Sequence, residues 1–245
     1  MNLIVDIGNT RIKLAVFKLN KLEELFIVTE ETLEKTLKNI SKQYKINNAI
    51  ISSVAEIPDE LKKYIENIST IIHLDQKTKV PFFNRYETPE TLGVDRIALV
   101  VAAVTQFSNQ NILVIDAGSC ITYDLVSSKN EYFGGAISPG LEMRLKALNT
   151  FTDKLPLLPL LDAENSIGNN TKNSIYFGVI NGVIAEIEGF ISYFEKENKK
   201  LTVVLTGGDT IFLAKRLKNS IFANSNFLLE GLNSILEYNL KIINE

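Results

Sequence analysis

Asp6 and Asp116 lie 110 positions apart, and around them Val5-Asp6-Ile7-Gly8-Asn9-Thr10 matches Ile115-Asp116-Ala117-Gly118-Ser119-Cys120 in its aspartate, its glycine and a small polar residue. The match matters because the same succession of apolar segments surrounds each copy. Leu3 to Val5, Ile12 to Phe17 and Leu25 to Val28 are short apolar runs broken by turn residues, and Ile112 to Ile115, Ile121 to Val126 and Tyr132 to Ile137 repeat them. Each trio predicts a three-strand antiparallel opening. In the first half, Leu33, Leu37, Ile40 and Tyr44 recur at helical spacing behind a cap at Thr29 to Thr32, and Ala49 to Ser52 reads as the next strand. A helix from Pro58 carrying Leu61, Tyr64, Ile65 and Ile68, a strand around His73, a loop from Pro81 to Pro89 and a buried helix over 90–106 complete it. In the second half, helices near Leu141 to Leu148 and Thr171 to Phe194 precede a strand from Leu201 to Leu205. The chain is therefore expected to be a duplicated α/β protein, with subdomains 1–108 and 109–245 around a shared cleft.

Composition narrows the chemistry. The 245 residues contain one Cys and one His, so neither a disulfide framework nor a Cys/His zinc site is available within the chain. Carboxylates, hydroxyls, backbone amides and basic side chains must do the work. Lys and Arg total 26 against 29 acidic residues without a block of like charge, which predicts no sequence-independent grip on nucleic acid. The longest apolar stretch, Ile97 to Val104, is far short of the roughly 20 residues of a membrane span. A cytoplasmic location without a membrane partner is expected.

Asp6-Ile7-Gly8-Asn9-Thr10-Arg11-Ile12-Lys13 joins two predicted strands, so a glycine-containing hairpin presents amides, a hydroxyl and an amine beside a carboxylate. That set suits phosphate with Mg²⁺, which prefers oxygen ligands and keeps several waters. Taken alone it is equally a tight turn with Asn9 as turn former. Asp116 to Thr122 repeats the equipment without the lysine. Thr206-Gly207-Gly208-Asp209, between a strand and a helix, reads either as a close approach to an anion or as a plain loop capped by Asp209. Gly134-Gly135-Ala136-Ile137-Ser138-Pro139-Gly140 reads as a bulge and the start of a helix. Gly93-Val94-Asp95-Arg96 puts a carboxylate and a guanidinium at the head of an apolar helix. They either pair and cap, or line a cleft, where Asp95 takes a hydroxyl proton and Arg96 binds a carboxylate.

Together with Gly168-Asn169-Asn170-Thr171, these strings occur in the order found in the type III pantothenate kinases, and the chain resembles that family nearly end to end. The family belongs to the acetate and sugar kinase, heat-shock ATPase and actin superfamily. The resemblance implies a duplicated ribonuclease H-like (actin-like ATPase) fold and phosphorylation of pantothenate by ATP, the first step toward coenzyme A. It also implies roles for particular residues. Asp95 is the proton acceptor, and Tyr86, Gly93, Val94, Asp95, Arg96 and Thr171 hold pantothenate; that Arg96 faces its carboxylate is our own expectation from the chemistry of the guanidinium. Asp6, Ile7, Gly8, Asn9, Thr10, Arg11, Ile12 and Lys13 form the ATP phosphate loop, with Mg²⁺ held at Asp6 through ATP. Ser119 is a second nucleotide contact, and Asp116 is the carboxylate associated with a monovalent cation, K⁺ or NH₄⁺. A homodimer is implied as well. Two departures stand out: Ser119 replaces a common Thr and keeps the hydroxyl, and Cys120 fills a slot usually small and apolar, where burial is expected. Competing readings are another phosphotransferase or polyphosphate hydrolase on the same scaffold and a nucleotide-binding regulator without catalysis.

Overall fold

The computed structural model describes residues 1–8, 11–53, 59–161, 167–198 and 200–244. The chain divides into two compact units, one of residues 1–108, 130–132 and 226–245, the other of 109–129 and 133–225.

The first unit opens with β1 (Asn2–Ile7), β2 (Ile12–Lys18) and β3 (Lys21–Val28), followed by α1 (Glu30–Gln43), β4 (Asn48–Ser53), α2 (Asp59–Ile68) and β5 (Thr70–His73). Pro58, the expected helix start, lies outside the described residues. Its sheet runs β3-β2-β1-β4-β5, with β1 antiparallel to β2 and parallel to β4. Being paired on both edges and covered on both faces, β1 is buried at every position, which explains its nearly unbroken apolar run. Leu33, Leu37 and Ile40 of α1 pack against Leu3, Val5 and Leu14 in the core. The Thr29 N–H donates to Thr32 Oγ1 at 3.0 Å, the expected cap.

After the two-residue strand β6 (Phe83–Asn84) and a 3₁₀ turn at Pro89–Thr91 comes α3 (Val94–Gln106), buried almost continuously from Val94 to Val104. A helix apolar on all sides needs cover on all sides. The C-terminal helix α7 (Phe227–Asn244) supplies part of it, coming so close that a Cβ on Gly231 would strike the Ala98 carbonyl. A buried polar chain pins α7: Asn2 Nδ2 donates to Asn233 Oδ1 at 3.0 Å, and Asn233 Nδ2 donates to the Leu19 carbonyl at 2.9 Å.

The second unit contains β7 (Asn111–Ala117), β8 (Cys120–Val126), most of β9 (Glu131–Pro139), α4 (Leu141–Thr150), α5 (Thr171–Glu197), β10 (Leu201–Thr206), α6 (Thr210–Ala214) and β11 (Phe222–Ala223). Its strand order, β9-β8-β7-β10-β11, reproduces that of the first unit, so the duplication expected from the repeated aspartate turns is a duplication of topology. Residues 130–132 go with the first unit, where Tyr132 pairs with Asn84 of β6. By length and composition α5 could cross a membrane. Its apolar face is already occupied, however, because Val183, Ile187 and Ile191 are fully buried with Leu113, Ile115 and Leu205 of the second sheet.

Candidate active site

At the end of β1, Asp6 stands opposite Lys13 of β2 and Ser52 of β4. Only 7% of its surface is exposed. Burial pushes its carboxyl up to about 6, partly offset by the Lys13 charge, while the negative charge of Asp95 raises it and a hydrogen bond with Ser52 lowers it. The first unit therefore places the carboxylates of Asp6 and Asp95 within electrostatic reach of each other. The turn after β1 is closed by the Gly8 N–H donating to the Arg11 carbonyl at 3.1 Å. Asn9 and Thr10 lie outside the described residues. Arg11 is exposed and Lys13 half-buried, whereas Ile7 and Ile12 are in the core, so any ligand contact from those two would come from the main chain.

Gly93 precedes the first turn of α3, and the Asp95 carboxylate folds back over it. There Asp95 Oδ1 accepts the Arg96 N–H at 2.8 Å, and a Cβ on Gly93 would strike that oxygen. The glycine thus has a geometric reason: it makes room for the carboxylate. Asp95 stays half-exposed, while Val94 beside it is buried. Arg96 is 6% exposed, its guanidinium carbon 5.5 Å from the Tyr86 ring centre and 6.0 Å from that of Tyr132. The two rings stack at 6.1 Å, and Phe82 meets Tyr132 edge-on at 5.9 Å. Tyr132 and Phe82 are additions to the residues expected from sequence. Tyr132 arrives through β6–β9 pairing, which no local motif signals.

In the second unit Asp116 stands between Thr122 of β8 and Thr206 of β10, as Asp6 stands between Lys13 and Ser52. The register refines the repeat. Four residues, Gly8 to Arg11, separate the paired Ile7 and Ile12, but only Gly118 to Cys120 separate Ala117 and Ile121. The second turn is one residue shorter, so Thr122 is the counterpart of Lys13. Asp116 is half-buried and Ser119 exposed. Cys120 is exposed too, contrary to the burial expected from its apolar neighbours, because it stands where the hairpin turn meets β8, next to the exposed Ser119.

Both glycine motifs of the second half converge on this turn. At Gly207, φ is 97° and a Cβ would strike the Ala117 carbonyl and the Asp116 carboxylate, while the Asp209 N–H donates to the Ala117 carbonyl at 3.0 Å. Gly207→Ala is therefore expected to cost about 1–3 kcal/mol and to lower the melting temperature, measured by thermal denaturation. A melting temperature equal to the parent's would contradict that geometry. Gly140 donates its N–H to the Ser119 carbonyl at 3.1 Å. Thr171 is the exposed first residue of α5, capped by Asn170, whose side chain accepts the Asn173 N–H at 2.9 Å. It borders a groove of about 940 Å³ between α4 and α5. Among the described residues no group of three or more His, Cys, Asp or Glu converges as a metal cage.

The sequence profile of the type III pantothenate kinases matches residues 2–193. The type III pantothenate kinase of Christiangramia forsetii is 48% identical over 240 residues, spanning 98% of this chain and 99% of the relative. Among solved structures, a chain from Campylobacter jejuni described as a Baf family transcriptional activator is 25% identical, with a TM-score of 0.62 over 98% of this chain and 99% of its own. A ROK family glucokinase from Streptomyces griseus, solved with glucose and AMPPNP, has a TM-score of 0.53 at 10% identity, covering 97% and 98% of the two chains. That likeness speaks for the fold alone, the one shared by actin-like ATPases and ROK sugar kinases.

Proposed function

The chain belongs to the type III pantothenate kinase family, and we propose that it transfers the terminal phosphoryl group of ATP to the primary hydroxyl of pantothenate at a site built on Asp6, Lys13, Asp95 and Arg96. The observation that carries this reading is the pairing, in one unit, of a buried carboxylate on a glycine turn with a half-exposed carboxylate heading α3. Phosphoryl transfer goes through a loose transition state, so positioning and charge neutralisation supply most of the acceleration and no covalent nucleophile is needed. In this reading Asp95 accepts the proton of the attacking hydroxyl, that oxygen bonds to the γ-phosphorus, and ADP leaves. Lys13 and the amides of the Gly8 turn neutralise the charge gathering on the phosphoryl oxygens. Arg96, held against Tyr86 and Tyr132, binds the pantothenate carboxylate, with Gly93 and Val94 shaping the approach and Thr171 completing the substrate contacts.

Asp6 fits Mg²⁺ brought by ATP, since one carboxylate plus substrate phosphates is a common Mg²⁺ environment. The bound ion would supply further charge neutralisation. Asp116, with the Ala117 carbonyl near its carboxylate, offers hard oxygen donors of the kind K⁺ or NH₄⁺ takes, and Ser119 contributes a hydroxyl to the nucleotide. A homodimer acting in the cytoplasm belongs to the same reading.

The test is a coupled assay of ADP release with and without pantothenate, and with K⁺ or NH₄⁺ against Na⁺. Dependence on pantothenate and on the cation is expected. ADP release indifferent to pantothenate would contradict the assignment. Arg96→Lys keeps the charge and loses the planar fork and its ring contacts. It is expected to raise KM for pantothenate about 10- to 100-fold, the scale of a lost charge-assisted hydrogen bond, with a smaller change in kcat. Steady-state kinetics checks both.

A further inference from the structure

The second unit carries a polar network that the phosphoryl-transfer account leaves unused. Arg144 of α4 directs its guanidinium at three groups: Nε donates to the Pro139 carbonyl at 2.8 Å, and Nη2 donates to Ser138 Oγ at 2.7 Å and to Glu186 Oε2 at 2.5 Å. Glu186, on α5, accepts the Tyr123 hydroxyl through Oε1 at 3.0 Å. Tyr123 is itself fully buried, its ring 4.3 Å from that of Phe190. Burial alone would raise the Glu186 carboxyl, but hydrogen bonds from Arg144, Ser138 and Tyr123 outweigh it and hold the group below its ordinary value, a charged acceptor for the arginine.

The network ends beside the Ser119 turn. Pro139, whose carbonyl Arg144 grips, is followed by Gly140, and Gly140 both donates its N–H to the Ser119 carbonyl and fits against the Gly118 carbonyl where a Cβ would collide. We propose that Arg144 is a positioning residue for the Gly118–Ser119 turn: anchored on Glu186, its fork fixes Pro139 and Gly140, and these fix the turn that meets the nucleotide. The inference rests on the reading of Ser119 as a nucleotide contact. A planar fork with several donors in fixed directions can hold Glu186, Ser138 and the Pro139 carbonyl together, whereas an ammonium on a flexible stem cannot match that geometry.

Steady-state kinetics of the full chain tests this with Arg144→Lys, which keeps the charge, and Glu186→Gln, which keeps the shape and weakens the anchor. Both are expected to raise KM for ATP, Arg144→Lys by about tenfold, with KM for pantothenate within about twofold of the parent. A network that only stabilises α4 would lower the melting temperature and the active fraction without moving KM for ATP, and that result overturns the inference. A double-mutant cycle adds the decisive comparison. Because Arg144 acts through the turn, its effect on KM for ATP shrinks in a Ser119→Ala background, and full additivity overturns the proposal. If Ser119→Ala alone leaves KM for ATP unchanged, the nucleotide role of Ser119 falls, and this inference with it. A wild-type KM for ATP in both network variants, with a raised value in Ser119→Ala, removes the inference and leaves that role standing.

Discussion

Asp95→Asn is expected to lower pantothenate-dependent turnover by about 10²- to 10⁴-fold, the usual contribution of a positioned base, while KM for ATP changes little. The variant should fold as the parent does. Asparagine retains the Oδ1 acceptor that takes the Arg96 N–H, and it occupies the same space over Gly93. It also removes the negative charge that raises the Asp6 carboxyl, which relieves that one repulsion in the free protein. A large fall in kcat with an unchanged or higher melting temperature is the expected pair of observations. Turnover at the parental rate would refute the assignment of the base, and a collapse of the melting temperature would instead mark Asp95 as part of the helix start alone.

The second large effect concerns Asp6. Its carboxyl lies near 6 in the folded chain against an ordinary 3.8, because burial disfavours the charged form more than Lys13 and Ser52 favour it. A carboxyl raised by folding stabilises the folded state in acid, below about 4, and that contribution is lost as pH climbs from about 4 to about 6. Above that window the ionised group costs the nucleotide-free fold about 3 kcal/mol. Asp6→Asn removes the cost, and Lys13, half-exposed, finds water in place of its partner. The variant should therefore melt several degrees higher than the parent at pH 8 and close to it at pH 4, while losing most metal-dependent ATP turnover. A carboxylate kept at the expense of stability for the role proposed for Asp6 is a familiar compromise. Equal melting curves at pH 8 would show that burial does not strain Asp6, and the account of its environment would be wrong.

Much of this arrangement is legible in the residues. The aspartate turns and their flanking apolar runs predict a duplicated α/β chain, because short apolar runs and a recurring turn signal survive without tertiary information. The Thr29 to Thr32 cap and the buried helix holding Asp95 are equally local. What escapes is what the second neighbour decides. Leu229, Leu232 and Leu236 of α7 carry a helical period, yet nothing near them says that the helix packs on α3 of the first unit, which Gly231 permits. Tyr132 reads as a strand residue of the second half. Only its pairing with Asn84 puts it beside Arg96. Cys120 misleads for a related reason: the residues after it are apolar, but it stands where the hairpin turn meets β8, before the first paired residue Ile121, and is exposed.

The most direct measurement is mass-spectrometric identification of the product formed from ATP and pantothenate by the purified chain, with fragmentation to locate the added phosphoryl group. The account predicts one product, pantothenate phosphorylated on its primary hydroxyl, formed in step with ADP and abolished by Asp95→Asn. Pantothenate recovered unmodified, with a sugar or acetate phosphorylated in its place, would contradict it.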